Sequence, residues 1–448
     1  MLRHVAKAVP FMLLGAWCGP AAAQWNVQAF GNGTMANVFD VKVGRARNDG
    51  TNRVYISERN GRVMEWTYTG TGWTNMVVAR GVTNLALIAI ANVRGDGSNR
   101  LYYTEFRTNG ALHEAVWTGS AWATSVVDKT YQSLSLFTGA GRGDGVKRLY
   151  VGTSGDAAHT GRGLWEYSYT TGAWSKICLH TNGMEGAGAV GDLRNDSTNR
   201  VLANSSFLDD FTWTGTNYEA AAIDHSATLF PDPTDIGKAR NDGLTRVFIN
   251  SGQGKIEYSY GGGTWSKKVI DANVQRGDVL VARLKGDGLY RLYSTYTTKG
   301  GVKGPLVEFL WDSISTSYRS NVVVDGTTGA TANIAAGNGR NDGVARLYAP
   351  DYAGGRILEI TWNAPFVYPS PSNTLQIAGM DVTNGNVYLV LTNLTAECEY
   401  SVQNGTNLLG AWSNAAVFTA ASSVTNWSVT NGPSPSFFRV KGRLNDQR

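Results

Sequence analysis

One motif recurs seven times along this chain and constrains its fold more than anything else in it. An Asp stands four residues before an Arg at Asp49/Arg53, Asp96/Arg100, Asp144/Arg148, Asp196/Arg200, Asp242/Arg246, Asp287/Arg291 and Asp342/Arg346. Successive Asp residues are 47, 48, 52, 46, 45 and 55 positions apart. Each copy lies between two short apolar runs, and a third run follows, of which Glu65-Trp66-Thr67-Tyr68 is the first example. A period of roughly 50 residues with about four short strands per unit is the signature of propeller blades. A lone blade cannot bury both sheet faces, so stacking seven around an axis supplies a continuous core. The expected fold is all-β, a seven-bladed β-propeller over residues 24–364.

The register of the ends predicts how the ring closes. Trp73, Trp122, Trp174, Tyr218, Trp265 and Tyr318 each open an outer strand 22 to 24 residues before the next Asp. Trp25 precedes Asp49 by 24 and belongs to the same series. The seventh unit stops at Glu359-Ile360-Thr361-Trp362 and runs into Asn363-Ala364-Pro365 without an outer strand of its own. Residues 25–30 are therefore expected to complete it, pairing an edge that would otherwise be exposed. The longest units carry inserts at 154–163 and 297–305, between the second and third strands, where loops tolerate length.

Gly follows the Asp in six units and Ser197 replaces it in the fourth, which suits a tight turn. A second base lies two residues before each Asp: Arg47, Arg94, Arg142, Arg194, Arg240, Lys285 and Arg340. Such a loop reads as a charge-assisted network holding the first strand to the second. These stretches resemble the FG-GAP/VCBS repeats of integrin-type propellers, most closely at Gly191-Asp192-Leu193-Arg194-Asn195-Asp196-Ser197-Thr198-Asn199-Arg200. The resemblance implies calcium in an Asp-rich loop that an acidic residue closes. Here all seven units carry Arg at the closing position, and Asp192 is matched elsewhere by Arg45, Asn92, Ala140, Lys238, Arg283 and Asn338. A hard cation wants several oxygen ligands and no neighbouring guanidinium. The loops are accordingly read as structural, with no metal and no cofactor expected.

An acid also recurs in the third strand, at Glu65, Glu114, Glu166, Asp210, Glu257, Glu308 and Glu359, each followed three residues later by Trp or Tyr. Alternation puts acid and aromatic on opposite faces, so the aromatics are expected between neighbouring blades. Sequence leaves open whether the carboxylate pairs with an Arg of its own blade. Residues 25–362 also resemble bladed lectins of the fungal and tachylectin-like kinds, in short repeats bearing Tyr/Trp and Gly/Asn loops. That resemblance implies sugar binding on aromatic platforms beside polar side chains. Candidate ligand residues on surface loops after the second strand are Glu58, Arg59 and Asn60, Glu105, Phe106 and Arg107, and Asp351 and Tyr352.

No catalytic residue is assigned. His113, His159, His180 and His225 have no zinc-ligand spacing, and there is no nucleophile elbow or phosphate-cradling loop. His159, near Asp156 in the third-unit insert, and Asp210, beside Asp209 and near Asp224 and His225, are the irregular positions that would suit a cleft. Paired acids of this kind serve glycosidic or uronic-acid chemistry in a rival reading.

Residues 1–23 read as an export signal: Arg3 and Lys7, an apolar stretch from Val9 to Trp17, then Ala21-Ala22-Ala23. Trp17 does not suit lipid attachment at Cys18. The apolar stretch is too short to span a bilayer, so no transmembrane segment is expected in the mature chain. Cys178 and Cys398 then remain, in different expected domains, which argues against a disulfide framework. The formal charge of +5 includes Arg3 and Lys7, and so small a value gives no support for nucleic-acid binding. Pro365, Pro369 and Pro371 mark a linker, 365–372, before an alternating region at 373–442 and a tail at 443–448. Tyr400 to Leu408, Trp412, Phe418 and Phe437-Phe438-Arg439-Val440 resemble a small β-sandwich module found at the C-termini of exported bacterial proteins, which implies a bacterial source.

The expectation is an exported, non-enzymatic protein, periplasmic, cell-surface or secreted, that binds a polysaccharide or an envelope protein. The alternatives are a polysaccharide-active lyase or hydrolase and a structural envelope protein.

Overall fold

The computed structural model describes residues 24–31, 35, 38–80, 84–130, 132–155, 161–181, 187–204, 207–226, 229–273, 277–296, 304–325, 333–351, 354–363, 376–383, 386–392, 399–405, 413–419, 424–430 and 437–443. The expected signal at 1–23, the linker at 365–372, His159, Tyr352 and Cys398 lie outside them. Among the described residues every regular element is a strand. The chain divides into two compact units, Trp25–Trp362 and the remainder.

The larger unit is a seven-bladed β-propeller. Blade 1 is the antiparallel sheet Val38–Gly44, Arg53–Glu58, Arg62–Tyr68 and Trp73–Ala79, and five further blades follow in the same sequential order. The seventh sheet runs Ala335–Gly337, Arg346–Asp351, Arg356–Asn363 and then Gln24–Phe30. First strands of successive blades touch one another around the ring, so they line the axis.

Strand position dictates composition. Second strands are buried throughout, as in Arg53–Glu58, Arg148–Thr153 and Arg246–Ser251, and read as near-continuous apolar runs between an Arg and a polar end. Outer strands such as Trp73–Ala79 and Thr264–Asp271 are half-solvated. A register shift between the third and fourth strands recurs in blades 1 to 6, for example at Val63/Met64 and Leu164/Trp165. Such bulges increase local twist.

The core is distributed rather than central. One cluster of buried apolar side chains fills each of the seven blade junctions, including the junction of blades 7 and 1, where Phe30, Tyr348 and Ile357 meet Val41, Val54 and Ile56. Blades converge at the axis, and the last residue of each first strand is correspondingly small. A Cβ on Gly139 would stand 2.3 Å from Val190, and one on Gly337 would stand 2.7 Å from Val43.

A second device joins blades at the first loop. The residue between the second base and the Asp adopts a left-handed conformation in every blade and is always Asn or Gly, the types that tolerate it. Where it is Asn, its amide grips the backbone of the next blade. Asn48 Nδ2 donates to Asn99 O (3.0 Å) and Asn48 Oδ1 accepts from Asn99 N (2.6 Å). Asn195 does the same to Thr245, Asn241 to Tyr290, and Asn341 to Asn52, the last across the ring junction.

The smaller unit holds two three-stranded antiparallel sheets. One orders Gln376–Thr383, Asn386–Thr392 and Val424–Thr430; the other orders Ser413–Thr419, Glu399–Gly405 and Phe437–Arg443.

Candidate ligand-binding face

The repeated charges are consumed within the architecture. In each blade the Arg of the loop grips the Asp four residues earlier through both terminal nitrogens, at 2.8 and 2.6 Å for Arg53 and Asp49. The pattern repeats in Arg100/Asp96, Arg148/Asp144, Arg200/Asp196, Arg246/Asp242, Arg291/Asp287 and Arg346/Asp342. Each Asp also accepts an N–H two residues on, as Asp49 does from Thr51 (3.0 Å). The Arg53 bond holds the Asp49 carboxyl down at about 2, and Arg148 does the same for Asp144. Asp192, the acid of the most FG-GAP-like loop, caps that loop's own amides at Asp196 and Ser197 (3.0 and 2.9 Å).

The third-strand acids form a second belt. All seven are buried, and each pairs with the second base of its own blade, as Glu166 does with Arg142 and Glu308 with Lys285. The same base lies over the third-strand aromatic of the following blade. Arg47 sits 3.6 Å from the Trp117 ring centroid, Arg142 3.9 Å from Trp213, and Lys285 3.7 Å from Trp362. Arg94 covers Tyr169, Arg194 covers Tyr260 and Arg240 covers Trp311, while Arg340 of blade 7 returns to Tyr68 of blade 1. Each of these aromatics meets the outer-strand aromatic of its own blade edge-on, from Tyr68/Trp73 to Trp362/Trp25. Asp210 belongs to this belt. It is fully buried and bonded twice to Arg194 (2.7 and 2.8 Å), so it does not line a cleft. Its neighbour Asp209 pairs with His225 Nε2 at 2.6 Å.

Three acids expected on surface loops are also interior. Glu58 is buried and bonded to Arg62 (2.6 Å), and Asp351 is buried and bonded to Arg356 (2.7 Å). Glu105 is buried between Arg107 and His113, whose Nε2 is 2.7 Å away. The second strand extends through each of these residues, and a cation at or near the third strand's start returns to neutralise it. Near the axis, Asp278 accepts N–H bonds from Val279 and, in blade 7, Ile334 (2.8 and 2.6 Å). Asp235 accepts from Ile236 and, in blade 6, Val281 (2.8 and 2.6 Å). Burial pushes Asp278 up to about 7 and Asp235 to about 6.

The up-and-down meander puts first-to-second loops and third-to-fourth turns at one end, and second-to-third loops and blade-to-blade connections at the other. At the latter end, where blades 1 and 2 meet, Phe39, Arg59, Asn84 and Phe106 line a pocket of about 200 Å³. Arg59 and Phe106 come from the second-to-third loops, Phe39 from a first strand and Asn84 from the connection between blades. The Arg59 guanidinium lies 4.7 Å from the Phe39 ring centroid. Arg59 O accepts from Asn84 N (3.0 Å), and Asn84 O accepts from Phe106 N (2.6 Å), so one backbone chain fixes three walls. Asn84 is left-handed (φ 55). Phe39 O accepts from Asn333 Nδ2 of blade 7 (2.6 Å). Asn60 and Arg107 are exposed on the same loops. Phe39 and Asn84 have no counterpart among the sequence candidates.

The chain matches no known protein family, and comparison with curated proteins finds no relative by sequence. Among solved structures it is similar to AofleA from Arthrobotrys oligospora, with 15% identity over 68% of this chain and 91% of that one and a TM-score of 0.41. It is similar to BBS1N in complex with ARL6DN, with 13% identity, 74% and 94% covered and a TM-score of 0.47. A third is the extracellular domain of a hybrid two component system from B. thetaiotaomicron, with 10% identity, 96% and 56% covered and a TM-score of 0.48. Identities this low leave the chemistry of every loop free to differ.

Proposed function

We propose that this chain is an exported binding protein that recognises carbohydrate through the face bearing the second-to-third loops. The observation that carries the reading is the pocket of Phe39, Arg59, Asn84 and Phe106, where aromatic walls and polar groups converge on a preorganised frame. The seven-fold charges support it by exclusion, because they are already paired within their own blades and stacked against the next. In this reading residues 1–23 direct export, and Gln24–Phe30 closes the ring as the outer strand of blade 7. Residues 373–442 form a small sandwich, and the protein acts in the periplasm, at the cell surface or outside the cell.

The test is a polysaccharide array probed with the purified protein, with and without a chelator, recording retention and released product. Retention without cleavage, abolished by Phe106→Ala and indifferent to chelation, is the expected result. Product release would replace the reading with a lyase or hydrolase. Absence of retention would favour an envelope protein as partner or a structural role.

A further inference from the structure

The pocket's charge identifies the kind of saccharide it suits, a step that rests on the carbohydrate reading above. Cations around it are committed: Lys42 to Asp40, Arg62 to Glu58 and Arg107 to Glu105. Among the described residues Arg59 forms no ion pair, although it is exposed and lines the cavity. Its guanidinium is instead placed against the Phe39 ring, which favours a cation over its face and orients the planar fork. The backbone of Arg59 is fixed through Asn84 to Phe106, so fork and facing aromatic are held in one frame. An aromatic wall beside an uncompensated, planar donor set is complementary to a ligand with an apolar ring face and a two-oxygen anion.

We propose that this pocket binds a carboxylate-bearing sugar unit, a uronate in a polysaccharide. The carboxylate meets the Arg59 fork, a C–H face of the sugar ring lies on Phe106, and the Asn84 amide meets a hydroxyl. The neighbouring acids Glu58 and Glu105 do not oppose this, because both are buried and paired with Arg62 and Arg107.

Calorimetric titration of the whole protein with galacturonate oligomers and with the matching neutral galactose oligomers tests this. The acidic oligomers are expected to bind at least about tenfold more tightly, the size of one lost charged hydrogen bond. Their affinity should fall as salt is raised. Arg59→Gln should remove that advantage, and Arg59→Lys should restore only part of it because a point charge lacks the fork. Arg59 is exposed, and an unchanged urea midpoint verifies that each variant folds. Neutral oligomers binding equally well would overturn the acidic assignment and leave carbohydrate recognition standing. Acidic oligomers whose binding survives Arg59→Gln would overturn the site. Binding by neither set would overturn the uronate assignment, and absence of retention on the polysaccharide array would overturn carbohydrate recognition with it.

Discussion

Gly143→Asn should stabilise the propeller. Blades 3 and 4 lack the amide grip that joins blades 1 and 2, because Gly143 occupies the position of Asn48. The backbone is already suited, with φ at 72° and no atom within 4 Å of an added Cβ. By equivalence the new amide would reach the N–H and carbonyl of Asn199, as Asn48 reaches Asn99 at 2.6 and 3.0 Å. Two solvent-edge hydrogen bonds contribute about 0.5 kcal/mol each. Restricting the unfolded chain adds about 0.4–1 kcal/mol, and Asn surrenders part of this on entering the left-handed region. The net expectation is about 1 kcal/mol. Gly143→Ala gains the same unfolded-state restriction but meets a left-handed penalty of about 1–2 kcal/mol with no bond in return, so it should destabilise. Urea unfolding followed by tryptophan fluorescence should give midpoints in the order Asn, wild type, Ala, with unchanged slope. An Asn variant at or below the wild type, or one matching Ala, would refute the staple argument.

Glu166→Gln should destabilise by about 2–3 kcal/mol. That lies at or just below the roughly 3–5 kcal/mol typical of breaking a buried pair, because the partner Arg142 keeps 21% of its side chain exposed. Adding Arg142→Met should recover part of the loss in the same urea assay, and strict additivity of the two changes would contradict the belt. Stability should also peak on the acidic side of neutrality. Loop carboxyls such as Asp49 have lowered values, so their contribution is present above the unfolded value of about 3.9 and lost as pH falls toward about 2. Asp235 and Asp278 have raised values, so their contribution is present at low pH and lost as pH rises through about 6 and about 7. Urea midpoints from pH 3 to 8 should therefore fall above about pH 5, and Asp278→Asn should flatten that fall. A wild-type midpoint that rises from pH 5 to 7.5 would contradict the assignment.

The blade count was legible because the Asp-to-Arg spacing repeats in every unit and apolar runs flank it. The choice of Asn or Gly at 48, 95, 143, 195, 241, 286 and 341 was equally visible, yet its meaning depends on a backbone that only folding brings alongside. The belt was half legible. Base, acid and aromatic can be read seven times over, but the base's reach to the aromatic of the next blade is an offset of one whole repeat. Glu58, Glu105 and Asp351 misled because each follows an apolar run, as surface residues do. Their partners are Arg62, Arg107 and His113, and Arg356, two to eight residues on, which face them only once the third strand folds back along the second. The pocket could not be read at all as a unit, since Phe39, Arg59, Asn84 and Phe106 meet only through the junction of two blades.

These features separate the two ends of the ring by the work their residues do. A group present in all seven blades and bonded the same way in each has little freedom to distinguish one ligand from another, because altering it loosens a junction. Specificity then falls to departures from the repeat. Departures that carry charge are mostly bonded within their own blade: Glu58 to Arg62, Glu105 to Arg107 and His113, Asp209 to His225, and Asp351 to Arg356. Arg59 differs from them. It is a unit-specific charge in a cavity, held by an aromatic face and a backbone chain, with no described carboxylate opposing it. An exposed guanidinium needs no partner to be stable in water, but one stacked against the wall of a pocket has its planar fork oriented in advance, which is why Arg59 is the position at which the uronate proposal is tested.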